Sequence, residues 1–244
     1  MTRVADKFQK PTFSKSIITI VGGYGSGKSE IAVNLARYLI HHQSERVALA
    51  DLDIVNPYFR SREAVRELTA LGITALVPPG DQIYAELPII VPEIKTAIEK
   101  KEGKVILDVG GDDTGARVLS SLTDAFETGP YELLLVLNAS RPFTADVTGC
   151  LKMIKSIEIS SRLKFTGIIS NTHLMDDTSV ELVLEGLKLA RTVSEKTGLP
   201  IVFLSAITDI LDKLSPRKVA LPVLPLDRSL LKPWERRKKT SGTE

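Results

Sequence analysis

The chain has 244 residues, of which 43% are hydrophobic and 25% are charged. This length suits one large α/β domain or two small ones, and the composition excludes disordered, collagen-like and coiled-coil proteins. The net charge is +2, and the basic excess lies in residues 232–244, so the rest of the chain is nearly neutral. We therefore expect no nucleic-acid partner, because such binding requires a basic face.

Cys150 is the only cysteine of the chain. One cysteine excludes an intrachain disulfide and a cysteine-only zinc or iron–sulfur site within one chain. The apolar runs are far shorter than the ~18 residues that cross a bilayer. The N-terminus also lacks a charged-then-apolar leader. These features predict a cytoplasmic protein without a membrane span.

Continuous apolar, β-branched runs alternate with stretches of helical spacing. Such runs are typical of strands covered on both faces, as in a parallel sheet between two layers of helices. Strands are expected at residues 17–21, 47–50, 73–77, 105–109, 133–137, 165–170 and 201–204. Helices are expected at residues 28–42, 60–71, 92–101, 114–126, 145–159, 179–197 and 207–214. The pattern predicts one α/β domain with a doubly wound, mostly parallel sheet of about seven strands.

The two ends of the chain differ in composition from its middle. Residues 1–15 are polar and aperiodic, and Pro222, Pro225 and Pro233 interrupt the stretch that precedes the basic residues 236–239. We expect a flexible N-terminal segment over residues 1–15, the α/β domain over 16–226, and a basic tail over 227–244.

Residues 22–29, GGYGSGKS, fit the Walker A pattern and lie between an expected strand and an expected helix. The glycines let successive N–H groups face an anion, and the helix adds its positive N-terminal end. Lys28 should reach the outer phosphates, and the Ser29 hydroxyl should bind Mg²⁺. The expected nucleotide-binding residues of this loop are Gly23, Tyr24, Gly25, Ser26, Gly27, Lys28, Ser29 and Glu30.

Acidic residues follow two other strands. Asp51 and Asp53 close the second strand, and Asp108 lies at the end of the run 105–109, before Gly111. The carboxyl ends of parallel strands meet at one edge of the sheet, so Asp108 is placed to hold Mg²⁺ and the Gly111 N–H to sense the terminal phosphate. The alternative is that these carboxylates only cap turns or helices.

Four segments, GGYGSGKS, ADLDIVNP, LDVGG and NT, resemble the CobQ/CobB/MinD/ParA nucleotide-binding group of P-loop NTPases, in the SIMIBI class. The resemblance covers residues 17–214. It implies that Asp53 lies beside the attacking water and is catalytic together with Lys28, while Asp51 is a metal ligand or supports one. In the deviant Walker A branch, a lysine at the position of Gly23 crosses the dimer interface to the partner's nucleotide. Gly23 cannot make this contact, so a homodimer of this chain would have to form without it.

The base-binding segment departs from the N-K-x-D motif of guanine-binding proteins. Asn171 is present, but Leu174 replaces the aspartate that accepts hydrogen bonds from guanine. This loss favours ATP. The resemblance implies that Asn171 contacts the adenine edge, and the alternative is a turn asparagine that ends a strand.

The sequence thus predicts a Mg²⁺-dependent ATP-binding protein, an ATPase whose hydrolysis switches an unidentified protein partner. Residues 56–60, NPYFR, lie where switch loops occur, and Arg141 is either a phosphate or partner contact or a turn residue. Three alternatives stay open. They are an ATP-sensing switch without hydrolysis, a small carboxylate-activating ligase of the dethiobiotin-synthetase type, and a metallochaperone-type GTPase.

Overall fold

A computed structural model describes residues 7–43, 45–53, 62–76, 91–100, 102–127 and 129–228. These residues contain eight strands, all parallel, in the order β3-β2-β4-β1-β5-β6-β7-β8. The strands are β1 (Ile17–Gly22), β2 (Val47–Asp51), β3 (Ile73–Leu76), β4 (Lys104–Gly110), β5 (Tyr131–Leu137), β6 (Gly167–Ser170), β7 (Ile201–Ile207) and β8 (Val223–Leu226). The predicted fold class, one doubly wound α/β sheet, is confirmed.

Helices connect the strands of the described residues. They are α1 (Lys28–Gln43), α2 (Arg62–Ala70), α3 (Val91–Lys100), α4 (Asp113–Ser121), α5 (Thr123–Glu127), α6 (Val147–Ser161), α7 (Val180–Thr197), α8 (Thr208–Lys213) and α9 (Pro216–Val219). Two short 3₁₀ turns lie at Pro142–Thr144 and Met175–Asp177. Within the described part of the chain, no helix has both the length and the apolar character needed to cross a membrane.

The structure corrects the prediction in two places. An eighth strand, β8, pairs with β7 at the edge of the sheet, where Pro225 is tolerated because an edge strand has one unpaired side. The helix expected over residues 114–126 is divided into α4 and α5. The division is at Leu122, whose N–H donates to the carbonyls of Leu119 and Ser120.

The core lies on both faces of the sheet. In β1, Ile17 and Val21 pack on one face, whereas Ile18 and Ile20 pack on the other, against α1. Because successive side chains of a strand point to opposite faces, a strand covered on both sides needs apolar residues at every position. The two-sided core therefore explains the continuous apolar runs of the sequence.

The segment before β1 is more tightly packed than its polar composition suggests. Phe8 and Phe13 are buried, and the Val223 N–H donates to the Gln9 carbonyl at 2.8 Å. Residues 1–6 and 229–244, which include most of the basic tail, lie outside the described residues, as does the predicted switch segment 56–60. The domain boundaries at residues 15/16 and 226/227 stay predictions.

Candidate functional site

The carboxyl ends of β1, β2 and β4 meet at one edge of the sheet. The register pairs Gly22 with Gly110 and Asp51 with Asp108. The chain leaves β1 at Gly22 and enters α1 at Lys28, so residues 22–29 form a loop directly beside these strand ends. The parallel register alone therefore brings the loop and the acidic residues together.

The loop of residues 22–29 has the shape of an anion cradle. Gly25 and Gly27 have φ values of +72° and +87°, which strongly favour glycine. The Ser26 N–H donates to the Gly23 carbonyl at 3.1 Å and closes a turn within the loop. The loop leads directly into the N-terminus of α1, where unpaired backbone N–H groups and the helix dipole favour negative charge.

Lys28 forms a buried ion pair with Asp53. The ammonium nitrogen lies 2.6 Å from Asp53 Oδ2, and both residues are almost fully buried. Burial alone would lower the pKa of Lys28, but the negative charges of Asp108, Asp53 and Asp51 hold it above its ordinary value. Lys28 therefore stays charged, and its position suits a cation that binds phosphate.

Asp108 lies at the centre of the cluster, with 0% of its surface exposed. Its Oδ2 accepts the Ser29 hydroxyl at 2.5 Å, and among the described residues its Oδ1 has no hydrogen-bond partner. Burial and the neighbouring charge of Asp51 raise the pKa of Asp108 to about 7, although Lys28 and Ser29 oppose the shift. A buried carboxylate with an unpartnered oxygen is poised for a cation.

The donor set fits Mg²⁺ better than a transition metal. Within the described residues, no group of three His, Cys, Asp or Glu side chains has the arrangement of a metal centre. Mg²⁺ does not need one, because it binds through one or two protein oxygens together with phosphate oxygens and water. Ser29 and Asp108 supply such oxygens. Asp51 is 2% exposed and accepts the Asp53 N–H through Oδ1 at 3.0 Å, which places it next to them.

Asn171 supports the loop from β6. Its Nδ2 donates to the Ser26 carbonyl at 2.8 Å, and its Oδ1 accepts the Ser205 hydroxyl at 2.9 Å. The first contact fixes the loop, and the second ties Asn171 to β7. Leu174 follows in the same connection, with 42% of its surface exposed. A contact between Asn171 and a base stays a prediction.

The other predicted residues border the same loop. Gly111 lies against the loop backbone, since a Cβ there would be 2.6 Å from the Gly22 carbonyl carbon and 2.7 Å from the Gly23 nitrogen. Tyr24 is 75% exposed, and the Glu30 carboxylate accepts a hydrogen bond from Asn34 Nδ2 at 3.3 Å. The structure thus brings all the predicted residues to one edge, although it assigns no ligand to any of them.

A cleft of about 630 Å³ opens beside Lys28 and Asp53, between the loop after β4 and α6. Cavities of several hundred Å³ are typical of small-molecule sites. The exposed rings of Tyr24 and Phe143 border its entrance. The edge therefore offers room for a polyphosphate chain and for a second molecule next to it.

Sequence reasoning missed Asn138, and it left Arg141 undecided between two roles. Both follow β5, and both donate hydrogen bonds to the Gly25 carbonyl, at 3.3 Å from Asn138 Nδ2 and 2.9 Å from Arg141 Nε. The signal that could have found Asn138 is its position. It directly follows a strand of the parallel sheet, as Leu52, Gly111 and Asn171 do.

Comparison with known proteins finds relatives of this chain by sequence and by fold. No family model matches the chain. The signal recognition particle protein of Streptococcus mutans is 26% identical over 211 residues, which cover 84% of this chain and 37% of that protein. The signal recognition particle 54 kDa protein of Methanococcus vannielii is 31% identical over 139 residues, covering 55% and 29%. This chain therefore spans about a third of the length of the curated relatives it matches.

Solved structures share the fold over most of this chain. Chloroplast FtsY from Physcomitrella patens has a TM-score of 0.56 at 18% identity, and the match covers 87% of this chain and 66% of that one. FtsY from Elizabethkingia anophelis in complex with GDP has a TM-score of 0.52 at 19% identity, covering 84% and 61%. The eight-stranded parallel sheet described above is thus a known architecture.

Proposed function

Since this chain is a P-loop NTPase of the SIMIBI class, we propose that it is a Mg²⁺-dependent nucleoside triphosphatase that acts as a switch on a protein partner. One observation carries the proposal. Lys28, Asp53 and Asp108 form a single buried cluster, joined by the part-buried Ser29, beside a glycine-rich anion loop. Burying several charged groups together costs free energy. Proteins keep such clusters mainly at functional sites, which supports a role in ligand binding.

The first step is an exchange of partners at Lys28. A bound triphosphate presents more negative charge than Asp53, and the loop N–H groups hold it within reach of the ammonium group. Lys28 then leaves Asp53 for the phosphate oxygens. Its raised pKa ensures that it carries the charge needed for this contact.

Ser29 and Asp108 are the residues that would hold Mg²⁺. When bound, the ion supplies neutralisation of the charge on the phosphate oxygens. The Ser29 hydroxyl lies at the start of α1. A second oxygen comes from Asp108 Oδ1, which has no hydrogen-bond partner in the part of the chain that the structure describes. Asp51 supports the cluster from β2, the strand next to β4.

Hydrolysis then uses the carboxylate that Lys28 has released. Asp53 orients a water molecule and accepts its hydrogen bond. The water oxygen bonds to the terminal phosphorus while the bond to the bridging oxygen breaks, and the water proton passes to Asp53 and then to the released phosphate. The products are a nucleoside diphosphate and inorganic phosphate. Departure of the phosphate removes the ligand that orders the neighbouring loops, and this change is the switch.

For the base we favour ATP, because Leu174 offers no acceptor to the N1 and N2 groups of guanine. A guanine nucleotide is the second candidate, favoured by the GDP in the similar Elizabethkingia FtsY structure. Competition of ATP and GTP against a fluorescent nucleotide decides between them. Tighter binding of GTP by tenfold or more would overturn the preference for ATP.

The test of the proposed function is steady-state phosphate release by the wild type, Asp53→Asn and a control, Asp124→Asn. Asp124 is an exposed residue of α5 that forms an ion pair with Lys95 of α3, remote from the loop. We expect Asp53→Asn to lose roughly 10²-fold or more in turnover while retaining nucleotide binding, and the control to match the wild type.

The alternatives predict different outcomes of this assay. Equal, near-blank rates for all three proteins would support an ATP-sensing switch without hydrolysis. ADP formation only after addition of a carboxylate metabolite would support a ligase. Light scattering is a separate test for a homodimer, which a nucleotide-dependent increase in mass would support. Because Gly23 stands where the lysine would be, such a dimer would depend on other contacts between the subunits.

A further inference from the structure

Arg141 lies against the outside of the anion loop. Its Nε donates to the Gly25 carbonyl at 2.9 Å, and a Cβ built on Gly25 would lie 2.7 Å from the same nitrogen. The guanidinium group therefore packs directly on the Gly25 backbone. The 3₁₀ turn that follows Arg141 anchors its main chain, since the Thr144 N–H donates to the Arg141 carbonyl at 3.0 Å.

Asn138 lies beneath this contact, with 0% of its surface exposed. Its Nδ2 donates to the carbonyls of Gly25 and His173, at 3.3 and 3.2 Å. Its Oδ1 accepts the N–H groups of Ser140 and His173, at 2.9 and 3.3 Å. Asn138 is thus a buried link between the anion loop and the connection after β6.

The contact with the Gly25 carbonyl also orients the next N–H group. In a trans peptide the C=O and the following N–H are coplanar and point in opposite directions. A Gly25 carbonyl held by Arg141 therefore turns the Ser26 N–H to the opposite side, where it donates to the Gly23 carbonyl and closes the turn of the loop. By the same rule, Asn171 holds the Ser26 carbonyl outward and the Gly27 N–H inward.

We infer that Arg141 and Asn138 are positioning residues that keep the Gly25 carbonyl turned away from a bound phosphate and so preserve the turn that the Ser26 N–H closes on the Gly23 carbonyl. The inference rests on the proposed function, because it concerns the same loop. Glycine at position 25, with φ of +72°, has little intrinsic resistance to rotation of this peptide. Rotation would aim a carbonyl oxygen at the anion, so an external clamp has a clear purpose.

The experiment compares the wild type with Arg141→Ala, Arg141→Lys and a matched control, Arg191→Ala. Arg191 on α7 also donates to a backbone carbonyl, that of Val219, at 2.9 Å, but far from the loop. The control removes the same charge and the same kind of bond. Calorimetry gives the Kd of nucleoside triphosphate, diphosphate and unphosphorylated nucleoside at one ionic strength, with and without added ethylguanidinium.

We expect Arg141→Ala to weaken the binding of triphosphate and diphosphate by about tenfold or more, and that of the nucleoside by less than twofold. Ethylguanidinium should restore much of the lost affinity. The Kd of Arg141→Lys should lie between those of the wild type and Arg141→Ala, because lysine keeps the positive charge but lacks the planar guanidinium group. Arg191→Ala should bind as the wild type does. A wild-type Kd for Arg141→Ala, or an equal loss in Arg191→Ala, would overturn the inference.

A second measurement separates this inference from the proposed function. Amide hydrogen exchange at Ser26 in the nucleotide-free protein should be faster in Arg141→Ala than in the wild type, because the peptide is no longer held. Unchanged exchange would overturn the clamp. Failure of the wild type to bind any nucleotide would instead overturn the proposed function, whatever the exchange shows.

Discussion

Gly111 is a position where a single methyl group should disturb the site. It follows β4 and lies against the backbone of the anion loop. A Cβ there would lie 2.6 Å from the Gly22 carbonyl carbon, 2.7 Å from the Gly23 nitrogen and 2.8 Å from the Gly22 oxygen. The φ of Gly111 lies outside the left-handed region, so alanine would meet no backbone strain. Any effect of Gly111→Ala must therefore come from these contacts.

The distances set the expected magnitude. Carbon atoms pack best at ~3.5 Å or more, so the loop would have to retreat by roughly 0.8 Å. All three contacts are backbone atoms, which cannot rotate away as a side chain would. Overpacking of this kind costs about 1–3 kcal/mol of unfolding free energy, and a displacement approaching ~1 Å can reduce turnover about 10²-fold.

For Gly111→Ala, urea denaturation measures the stability, calorimetry the nucleotide affinity, and phosphate release the turnover. Gly129→Ala is the matched control. A Cβ at Gly129 has no atom of the described residues within 4 Å, and its φ is also ordinary. The control should change none of the three quantities. If Gly111→Ala were as stable as the control and bound and hydrolysed nucleotide normally, the close packing of β4 on the loop would be wrong.

Three further predictions concern buried ionisable groups. Lys28→Met should lower the unfolding free energy at neutral pH by about 3–5 kcal/mol, because it removes the ammonium group that compensates the buried Asp53 carboxylate. Urea denaturation of the double variant with Asp53→Leu should show most of this loss recovered. Burial and the charge of Arg141 lower the pKa of His173 to about 4, so the folded protein binds its proton less readily than the unfolded chain. Its contribution to stability should be lost as the pH falls from 6.5 towards 4, by up to roughly 3 kcal/mol, and His173→Gln should flatten this part of the pH profile. Burial and Asp146 raise the pKa of Cys150 to about 11, so a thiol reagent should label it only in denaturant, and labelling of the native protein would contradict its placement.

The sequence predicts the parts of this protein that depend on local patterns. Continuous apolar runs identify the strands that are covered on both faces, and the GGYGSGKS segment identifies the anion loop. The position of Asp51 and Asp108 near strand ends is sufficient to place them in one cluster, because the parallel register pairs the two residues across neighbouring strands. The suspected SIMIBI class is supported instead by the comparison with signal recognition particle proteins.

What the sequence does not predict depends on contacts between distant segments. β8 was missed because Pro225 contradicts a central strand, and only the assembled sheet makes it an edge strand. Asn138 carries no motif, and its role arises from bonds to residues 113 and 35 positions away. The ion pair between Lys28 and Asp53 likewise requires the loop and β2 to be in place.

The arrangement of Asp51, Asp53 and Asp108 around Lys28 has a thermodynamic consequence. Fully ionised, the cluster has three carboxylates facing one ammonium group, and burial together with the charges of Asp51 and Asp53 raises the pKa of Asp108. A divalent cation would cancel the surplus of two negative charges. If Mg²⁺ binds here together with a nucleotide as proposed, it relieves the repulsion among the carboxylates. The two ligands should then raise the melting temperature together by more than the sum of their separate effects.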